Sequence, residues 1–244
     1  MKRWVHELRS LTAGLAGLLV VAGCASPTST KNEIPDPLEG LNRYVFNLNV
    51  LFDDVLLRPT AQAYREVVPE FGQRGIRNFL DNLESPVTLA NDVFQGELTR
   101  AGNTTARFLI NTTVGIGGVF DVATDVGFER HEEDFGQTLG RYGVDHGFYL
   151  VLPLFGPSSG RDAVGRVGDY FLDPLNYYAR NTDRRWISLV RTGVNAVDLR
   201  ARNLDTLDDI ERTSTDLYAT IRSIYRQRRA SEVANGAAPK LPDE

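Results

Sequence analysis

The chain has 244 residues, a formal net charge of −5 at neutral pH and a single cysteine, Cys24. One thiol excludes an intrachain disulfide and a cluster of cysteine metal ligands, and the acidic balance excludes a nucleic-acid-binding face, which needs basic residues. The length suits one domain with a hydrophobic core.

The N-terminus has the features of a lipoprotein signal peptide. Basic residues precede the apolar run 11–22, which is shorter than the roughly 20 residues of a membrane-spanning helix. Small residues then lead into Cys24, whose thiol would accept the lipid. We therefore predict a signal peptide at residues 1–23 and acylation of Cys24, where several acyl chains, at about 0.8 kcal/mol per buried CH₂, make attachment lasting.

The segment after Cys24 indicates where the mature chain resides. Ala25 stands where an aspartate would signal retention in the inner membrane, so we expect the outer membrane of a Gram-negative bacterium, with the anchor in the periplasmic leaflet. Removal of residues 1–23 takes away three basic residues and one acidic residue, which shifts the net charge to −7. Adhesion to anionic headgroups is therefore not expected as the main membrane contact. Residues 24–35 are interpreted as a polar tether.

Helical periodicity begins at Asp36, which is expected to cap the first helix, with Pro37 in its first turn and Glu39 completing a capping box. Apolar residues then recur every three or four positions. Three further helices are predicted at residues 71–83 and 87–94, on either side of Pro86, and at Leu98–Thr113.

The middle of the chain changes character, because twelve of the 22 glycines lie between Gly115 and Gly168. This density disfavours long helices. The apolar run 148–155 fits either a buried strand or a hairpin arm against lipid.

Helical periodicity returns over residues 186–204. A capping box of Thr213 and Asp216 predicts a final helix through Arg229. Residues 231–244 are predicted to be a disordered tail that follows a helical domain at 36–230. The sequence thus predicts a mostly α-helical single domain with a glycine-rich, non-helical insert.

One motif suggests catalysis. Gly156-Pro157-Ser158-Ser159-Gly160 matches the nucleophile elbow of serine hydrolases, but such enzymes need a histidine after the serine, and the last histidine is His146. The chain also lacks the strand–helix alternation of a hydrolase sheet. The segment is better interpreted as a Gly-Pro turn whose serines cap the following helix.

No metal or cofactor site is predicted. The segment His131 to Asp134 lacks the second histidine of a zinc helix and is interpreted as a solvated acidic turn. The run from Gly115 to Gly118 fails as a dinucleotide fingerprint, because Phe120 stands where the last glycine belongs. The pairs 53–54 and 208–209, all aspartates, are interpreted as surface charge. We predict no catalytic residue.

The segment Asp36-Pro37-Leu38-Glu39-Gly40-Leu41-Asn42-Arg43 resembles the MlaA/VacJ family of outer-membrane lipoproteins. The resemblance covers residues 36–225. Other matching segments are Arg107-Phe108-Leu109-Ile110-Asn111-Thr112, Gly115-Ile116-Gly117-Gly118-Val119-Phe120-Asp121, Phe135-Gly136-Gln137-Thr138-Leu139-Gly140 and Tyr149-Leu150-Val151-Leu152-Pro153.

The resemblance implies an all-α ring of amphipathic helices around a central channel, with a glycine-rich hairpin insert, lying in the inner leaflet of the outer membrane. Its transported ligand would be phospholipid taken from the outer leaflet, without a cofactor. The implied partners are a trimeric porin and a soluble periplasmic lipid carrier that feeds an inner-membrane ABC transporter.

The resemblance also implies site residues. Gly143 and Gly147 match hinge glycines of the channel hairpin, although Asp145 stands between them where relatives can carry another glycine. Leu41 and Asn42 match a first-helix position that helps retain the shape of the channel. A further group, Gly115, Gly117 and Gly118, would let the channel wall pack closely. Turn geometry would also explain the glycines.

Three functions are therefore compared: a phospholipid conduit, a structural lipoprotein that associates with a porin without transport, and a lipid hydrolase that uses Ser158.

Overall fold

The computed structural model describes residues 36–235. The predicted signal peptide, Cys24, the tether and residues 236–244 lie outside the described residues.

The mostly α-helical prediction is confirmed over the described residues, and the non-helical insert is a two-stranded hairpin. In chain order the elements are α1 (Glu39–Phe52), a π-helical turn (Asp53–Leu57), α2 (Arg58–Val67), α3 (Glu70–Phe94), α4 (Leu98–Thr113), α5 (Val122–Asp125), α6 (Phe135–Arg141), β1 (Tyr149–Leu152), β2 (Gly156–Ser159), α7 (Gly160–Leu172), α8 (Pro174–Asn181), α9 (Trp186–Arg202), α10 (Leu204–Thr213) and α11 (Leu217–Val233).

Several helix boundaries differ from the sequence prediction. The segments 71–83 and 87–94 form one helix, α3, with Pro86 inside it. The late helix α9 ends at Arg202, and α10 begins two residues later. The last helix reaches Val233, where its final turn is held by the ion pair between Arg229 and Glu232, so residues 231–233 are helical rather than part of a tail.

The two predicted caps also differ. Asp36 does not cap α1, because its carboxylate is engaged elsewhere: it accepts hydrogen bonds from Asn42 Nδ2 (2.7 Å) and from the Tyr218 hydroxyl. Asp216 alone caps α11, accepting from the Ala219 amide at 3.1 Å, whereas Thr213 ends the preceding helix.

The hairpin pairs β1 and β2 antiparallel, with Leu150 opposite Ser158 and Leu152 opposite Gly156. Tyr149 and Val151 of β1 are buried against Tyr218 of α11. The rings of Tyr149 and Tyr218 meet edge to face at 6.0 Å, a favourable aromatic geometry. The apolar run therefore contains the buried strand that was one of its two predicted alternatives, and that strand lies between the first and last helices.

A buried ion cluster joins α6, α7 and α11. Arg229 donates from Nη1 to Asp134 Oδ2 (2.7 Å) and from Nη2 to Asp162 Oδ1 (2.9 Å). Burial would raise the pKa of both carboxyls, but the arginine pairing more than offsets it and lowers the pKa of Asp162 to about 2. Gly165 of α7 lies against Gly136 of α6 so closely that a Cβ on Gly165 would lie 2.4 Å from the Gly136 nitrogen.

Large apolar side chains are concentrated on the surface rather than in the interior. Exposed examples are Leu41, Tyr44 and Val55 near the first helix, and Trp186 and Leu189 on α9. In residues 36–235, no helix combines the length and the apolarity needed to cross a bilayer. The ring around a central channel stays a prediction of the family resemblance.

Candidate functional site

An apolar groove of about 1120 Å³ lies between the first half of α3, the segment after α4, and helices α8 and α9. This volume exceeds the roughly 300–1,000 Å³ of sites for drug-sized ligands. Its wall is formed mainly by aliphatic and aromatic side chains, among them Phe71, Ile76, Phe79, Leu83, Phe120, Leu175, Ile187, Val190 and Val194. The groove therefore suits a large, largely apolar ligand.

The glycine-rich loop between α4 and α5 forms one wall of this groove. Two asparagines one turn apart on α3 hold the loop: Asn78 Nδ2 donates to the Val119 carbonyl (3.1 Å), and Asn82 Nδ2 donates to the Gly117 carbonyl (3.4 Å). Asn82 Nδ2 also donates to Thr112 Oγ1 (2.9 Å) at the end of α4. These contacts place Val119 and the neighbouring Phe120 in the wall.

Two of the predicted glycines in this loop are required by close packing. A Cβ on Gly115 would lie 2.2 Å from the Phe120 carbonyl oxygen. Gly118 has a φ of +94°, and a Cβ there would lie 2.4 Å from Asn82 Cβ. Gly117 also has a positive φ, but open space lies around it. The loop is thus closely packed at Gly115 and Gly118 but not at Gly117, and a role of these glycines in a channel stays a prediction.

A smaller polar cavity of about 50 Å³ adjoins the groove, and Asn78 and Asp121 line both. Asp121 accepts two hydrogen bonds from Arg107 at 2.9 Å each. Burial alone would raise the pKa of Asp121, but its bonds from Thr124, Asn111 and Arg107 lower it.

Two other carboxyls of the polar cavity behave differently. Burial raises the pKa of Asp81 to about 6, although its partner Arg130 lies only 2.8 Å away. Burial likewise raises the pKa of Glu84. Neither group lines the groove, so α3 presents its apolar side chains to the groove and these carboxyls to the polar cavity.

Asn42 joins α1 to the hairpin. It is 1% exposed, and its Nδ2 donates to Asp36 Oδ1 (2.7 Å) and to the Tyr149 carbonyl (3.0 Å), while its Oδ1 accepts from the Val151 amide (2.9 Å). Alternate residues of an antiparallel strand turn their main-chain groups away from the partner strand. Asn42 therefore supplies hydrogen bonds to the open edge of β1.

Asn49 repeats this contact two turns further along α1. Its Nδ2 donates to the Leu152 carbonyl (3.0 Å), and its Oδ1 accepts from the Leu154 amide (2.8 Å). Asn49 was not among the predicted site residues, although its seven-residue spacing from Asn42 places both amides on one helix face. The neighbouring Leu41 is exposed.

The predicted hinge glycines flank the approach to β1. Gly143 ends α6 in a Schellman motif: its amide bonds to the Gly140 carbonyl (3.0 Å), and the Val144 amide bonds to the Leu139 carbonyl (3.0 Å). Gly147 also has a positive φ, +68°. Turn geometry therefore accounts for the conformation of both, and a hinge role stays a prediction.

The predicted site residues thus fall into two groups. Gly115, Gly117 and Gly118 lie in the loop whose residues Val119 and Phe120 line the groove, whereas Asn42 of α1 bonds to β1 and Gly147 precedes that strand. The groove residues of α8 and α9 were not predicted, because their apolar positions look like ordinary core positions in the sequence.

The serine of the elbow motif is packed inside the hairpin. Ser158 is fully buried, its hydroxyl donates to the Ser159 carbonyl (3.4 Å), and within residues 36–235 no hydrogen bond joins it to His131 or His146. Ser159 caps α7 as predicted, accepting from the Asp162 amide at 3.1 Å. Ser158 does not cap, and the predicted Gly-Pro turn is wrong, because Gly156 and Pro157 begin β2.

The segment from His131 to Asp134 is not a solvated turn, and that interpretation is wrong. His131 Nε2 lies 3.0 Å from the buried Asp92, and Glu133 is buried beside Arg100, 2.6 Å away. Of the aspartate pairs, Asp54 and Asp209 are exposed as predicted, whereas Asp53 and Asp208 are partly buried and both bind Arg200. Among residues 36–235, His, Cys, Asp and Glu side chains form no group of three that could hold a metal ion.

Comparison with known proteins gives consistent matches. The family model described as MlaA lipoprotein matches residues 34–232. The "Intermembrane phospholipid transport system lipoprotein MlaA" of Escherichia coli is 37% identical over 94% of this chain and 90% of its own length. The protein of that name from Haemophilus influenzae is 34% identical over 98% of this chain and 97% of its own length.

A solved chain described as "Structural basis for maintenance of bacterial outer membrane lipid asymmetry" has the same fold. Its TM-score to this chain is 0.72 at 38% sequence identity, and the match covers 81% of this chain and 98% of the other.

Proposed function

This chain belongs to the MlaA lipoprotein family, and from that premise we propose that it is a non-enzymatic phospholipid conduit of the outer membrane. It takes phospholipid that is misplaced in the outer leaflet through its groove and passes it on toward the periplasm. This transport maintains the lipid asymmetry of the outer membrane.

The observation that carries the proposal is the apolar groove with its polar neighbour. A phospholipid joins acyl chains to a charged headgroup, so its binding site needs an apolar surface that ends at a polar one. The groove and the polar cavity meet at Asn78 and Asp121. Neither a porin scaffold nor a hydrolase that acts through the buried Ser158 requires this arrangement.

The exposed apolar side chains support a position within the leaflet. Burying apolar surface contributes about 25 cal/mol per Å², and large apolar patches on a protein surface mark contacts with protein or membrane. The exposed residues of α1 and α9 would be buried among acyl chains, with Cys24 holding the protein at the periplasmic face. The porin and the periplasmic carrier are partners that the family resemblance implies.

The test is a substitution that fills the groove. Val190 lines the groove and is 53% exposed, whereas the adjacent Leu189 is 73% exposed and does not line it. The full-length lipoprotein is extracted in mild detergent, and the phospholipid bound per protein is measured by mass spectrometry. We expect Val190→Trp to lower bound lipid several-fold and Leu189→Trp to leave it unchanged.

Valine is a cleaner probe than the predicted glycines, because a side chain at Gly117 or Gly147 is strained by its positive φ. Equal lipid content in both tryptophan variants would contradict a conduit in this groove. If the wild type contained no bound lipid but still bound a porin, the result would favour the structural, porin-associated function instead.

A further inference from the structure

The polar cavity beside the groove has room for a small charged group. Its volume is about 50 Å³, and one water needs roughly 10–15 Å³ of such space. It therefore has room for a few waters or one compact charged group, and the apolar groove beside it has room for acyl chains.

Negatively charged groups outnumber positively charged ones in this cavity. Its walls carry four carboxylates, on Asp81, Glu84, Asp121 and Glu132, but only two guanidinium groups. Both guanidinium groups are already paired. Arg107 binds Asp121 at 2.9 Å, and Arg130 binds Asp81 at 2.8 Å and also contacts Glu132.

The remaining acceptors are without partners. Within residues 36–235, no hydrogen bond or ion pair reaches the Glu84 carboxylate. Asn82 is 6% exposed and lines the same cavity, and its Oδ1 has no hydrogen-bond partner among the described residues. A buried acceptor without a donor costs about 1–3 kcal/mol, so a ligand with N–H donors would be stabilised here.

A primary ammonium group meets both requirements, since it carries a positive charge and three donors. A headgroup that is only anionic would add negative charge beside four carboxylates. The third cationic candidate of the wall, His131, already faces Asp92 at 3.0 Å. Burial raises the pKa of Asp81 and Glu84, and the nearby arginines, Arg130 for Asp81 and Arg191 for Glu84, offset this only in part.

We infer that this cavity is the headgroup subsite of the lipid in the groove and that Glu84 selects phospholipids with a primary ammonium headgroup, such as phosphatidylethanolamine, over purely anionic ones such as phosphatidylglycerol. The inference rests on the proposed function, because it assigns the headgroup end of the same ligand.

The test measures which lipid is bound, separately from how much. The full-length protein in detergent is equilibrated with vesicles of equal phosphatidylethanolamine and phosphatidylglycerol, and the bound lipids are quantified by mass spectrometry. We expect the wild type to enrich phosphatidylethanolamine and Glu84→Gln to lower that enrichment about tenfold, the equivalent of one charge-assisted hydrogen bond, with total bound lipid retained.

Glu70→Gln is the matched control, because Glu70 lies on the same helix, its side chain is 89% exposed, and it lies outside the cavity. We expect this variant to keep the wild-type ratio. Bound lipid at the input ratio, or an unchanged ratio in Glu84→Gln, would overturn the headgroup assignment and leave the conduit intact. Absence of any bound lipid would overturn both.

Discussion

The contact between Asn42 and the hairpin allows a quantitative test of how α1 positions β1. Replacing Asn42 by alanine removes three hydrogen bonds and leaves the Val151 amide, the Tyr149 carbonyl and one oxygen of Asp36 without that partner. Each buried group left unsatisfied costs about 1–3 kcal/mol. Since Asp36 keeps its bond from Tyr218, we expect Asn42→Ala to lower the free energy of unfolding by about 3–5 kcal/mol.

Asn49→Ala is the internal control for this prediction. Its amide makes the same pair of main-chain bonds, but the Leu154 amide that it binds is exposed, so water replaces the lost partner. We expect Asn49→Ala to lower the free energy of unfolding by only about 1 kcal/mol.

Urea unfolding of the purified protein in detergent, followed by circular dichroism, gives both free energies. Hydrogen exchange of the Val151 amide reports the local effect. Equal free energies of unfolding in the two variants, or unchanged protection of Val151 in Asn42→Ala, would refute the view that Asn42 holds the edge of β1.

Three further predictions concern packing and charge. Removing the buried cation with Arg229→Met should lower the free energy of unfolding by about 3–5 kcal/mol at pH 7. The pKa of Asp162 is lowered to about 2 in the folded state, so this loss should become smaller as the pH falls below about 4. Urea unfolding at several pH values measures it. Gly165→Ala should destabilise by about 1–3 kcal/mol through the clash with α6, whereas Gly193→Ala, where open space surrounds the added carbon, should be neutral or stabilising in thermal unfolding. Burial raises the pKa of Asp169 to about 6, so the free energy of unfolding should increase as the pH falls from 7 to 5 and this group takes up a proton. Asp169→Asn should remove this increase, and the same pH profile of unfolding in the variant and the wild type would contradict the prediction.

Local sequence signals were sufficient for much of the helical framework. The helix Leu98–Thr113 has the predicted bounds, because its apolar periodicity begins and stops where the helix does. Pro86 misled the prediction of α3, since proline is usually found near a helix start, yet here it is held within a helix whose two halves both pack against neighbours. Asp36 misled the prediction of the cap, because a capping residue and a buried hydrogen-bond acceptor look identical in the sequence.

The groove could not be predicted, because it depends on which helices meet. Phe71 and Val194 lie far apart in the chain and line the same groove, and their apolar character alone fits a hydrophobic core equally well. The glycines were identified through their dense spacing and the family resemblance. Only the structure separates Gly118, which packs on Asn82, from Gly143, which ends a helix.

Transport through the groove is tested most directly in cells that lack the native gene. Wild type, Val190→Trp and Leu189→Trp are expressed at equal levels, and phospholipid in the outer leaflet is measured together with sensitivity to detergent. We predict that wild type and Leu189→Trp restore a low phospholipid content and detergent resistance, whereas Val190→Trp restores neither. Full restoration by Val190→Trp would contradict transport through this groove.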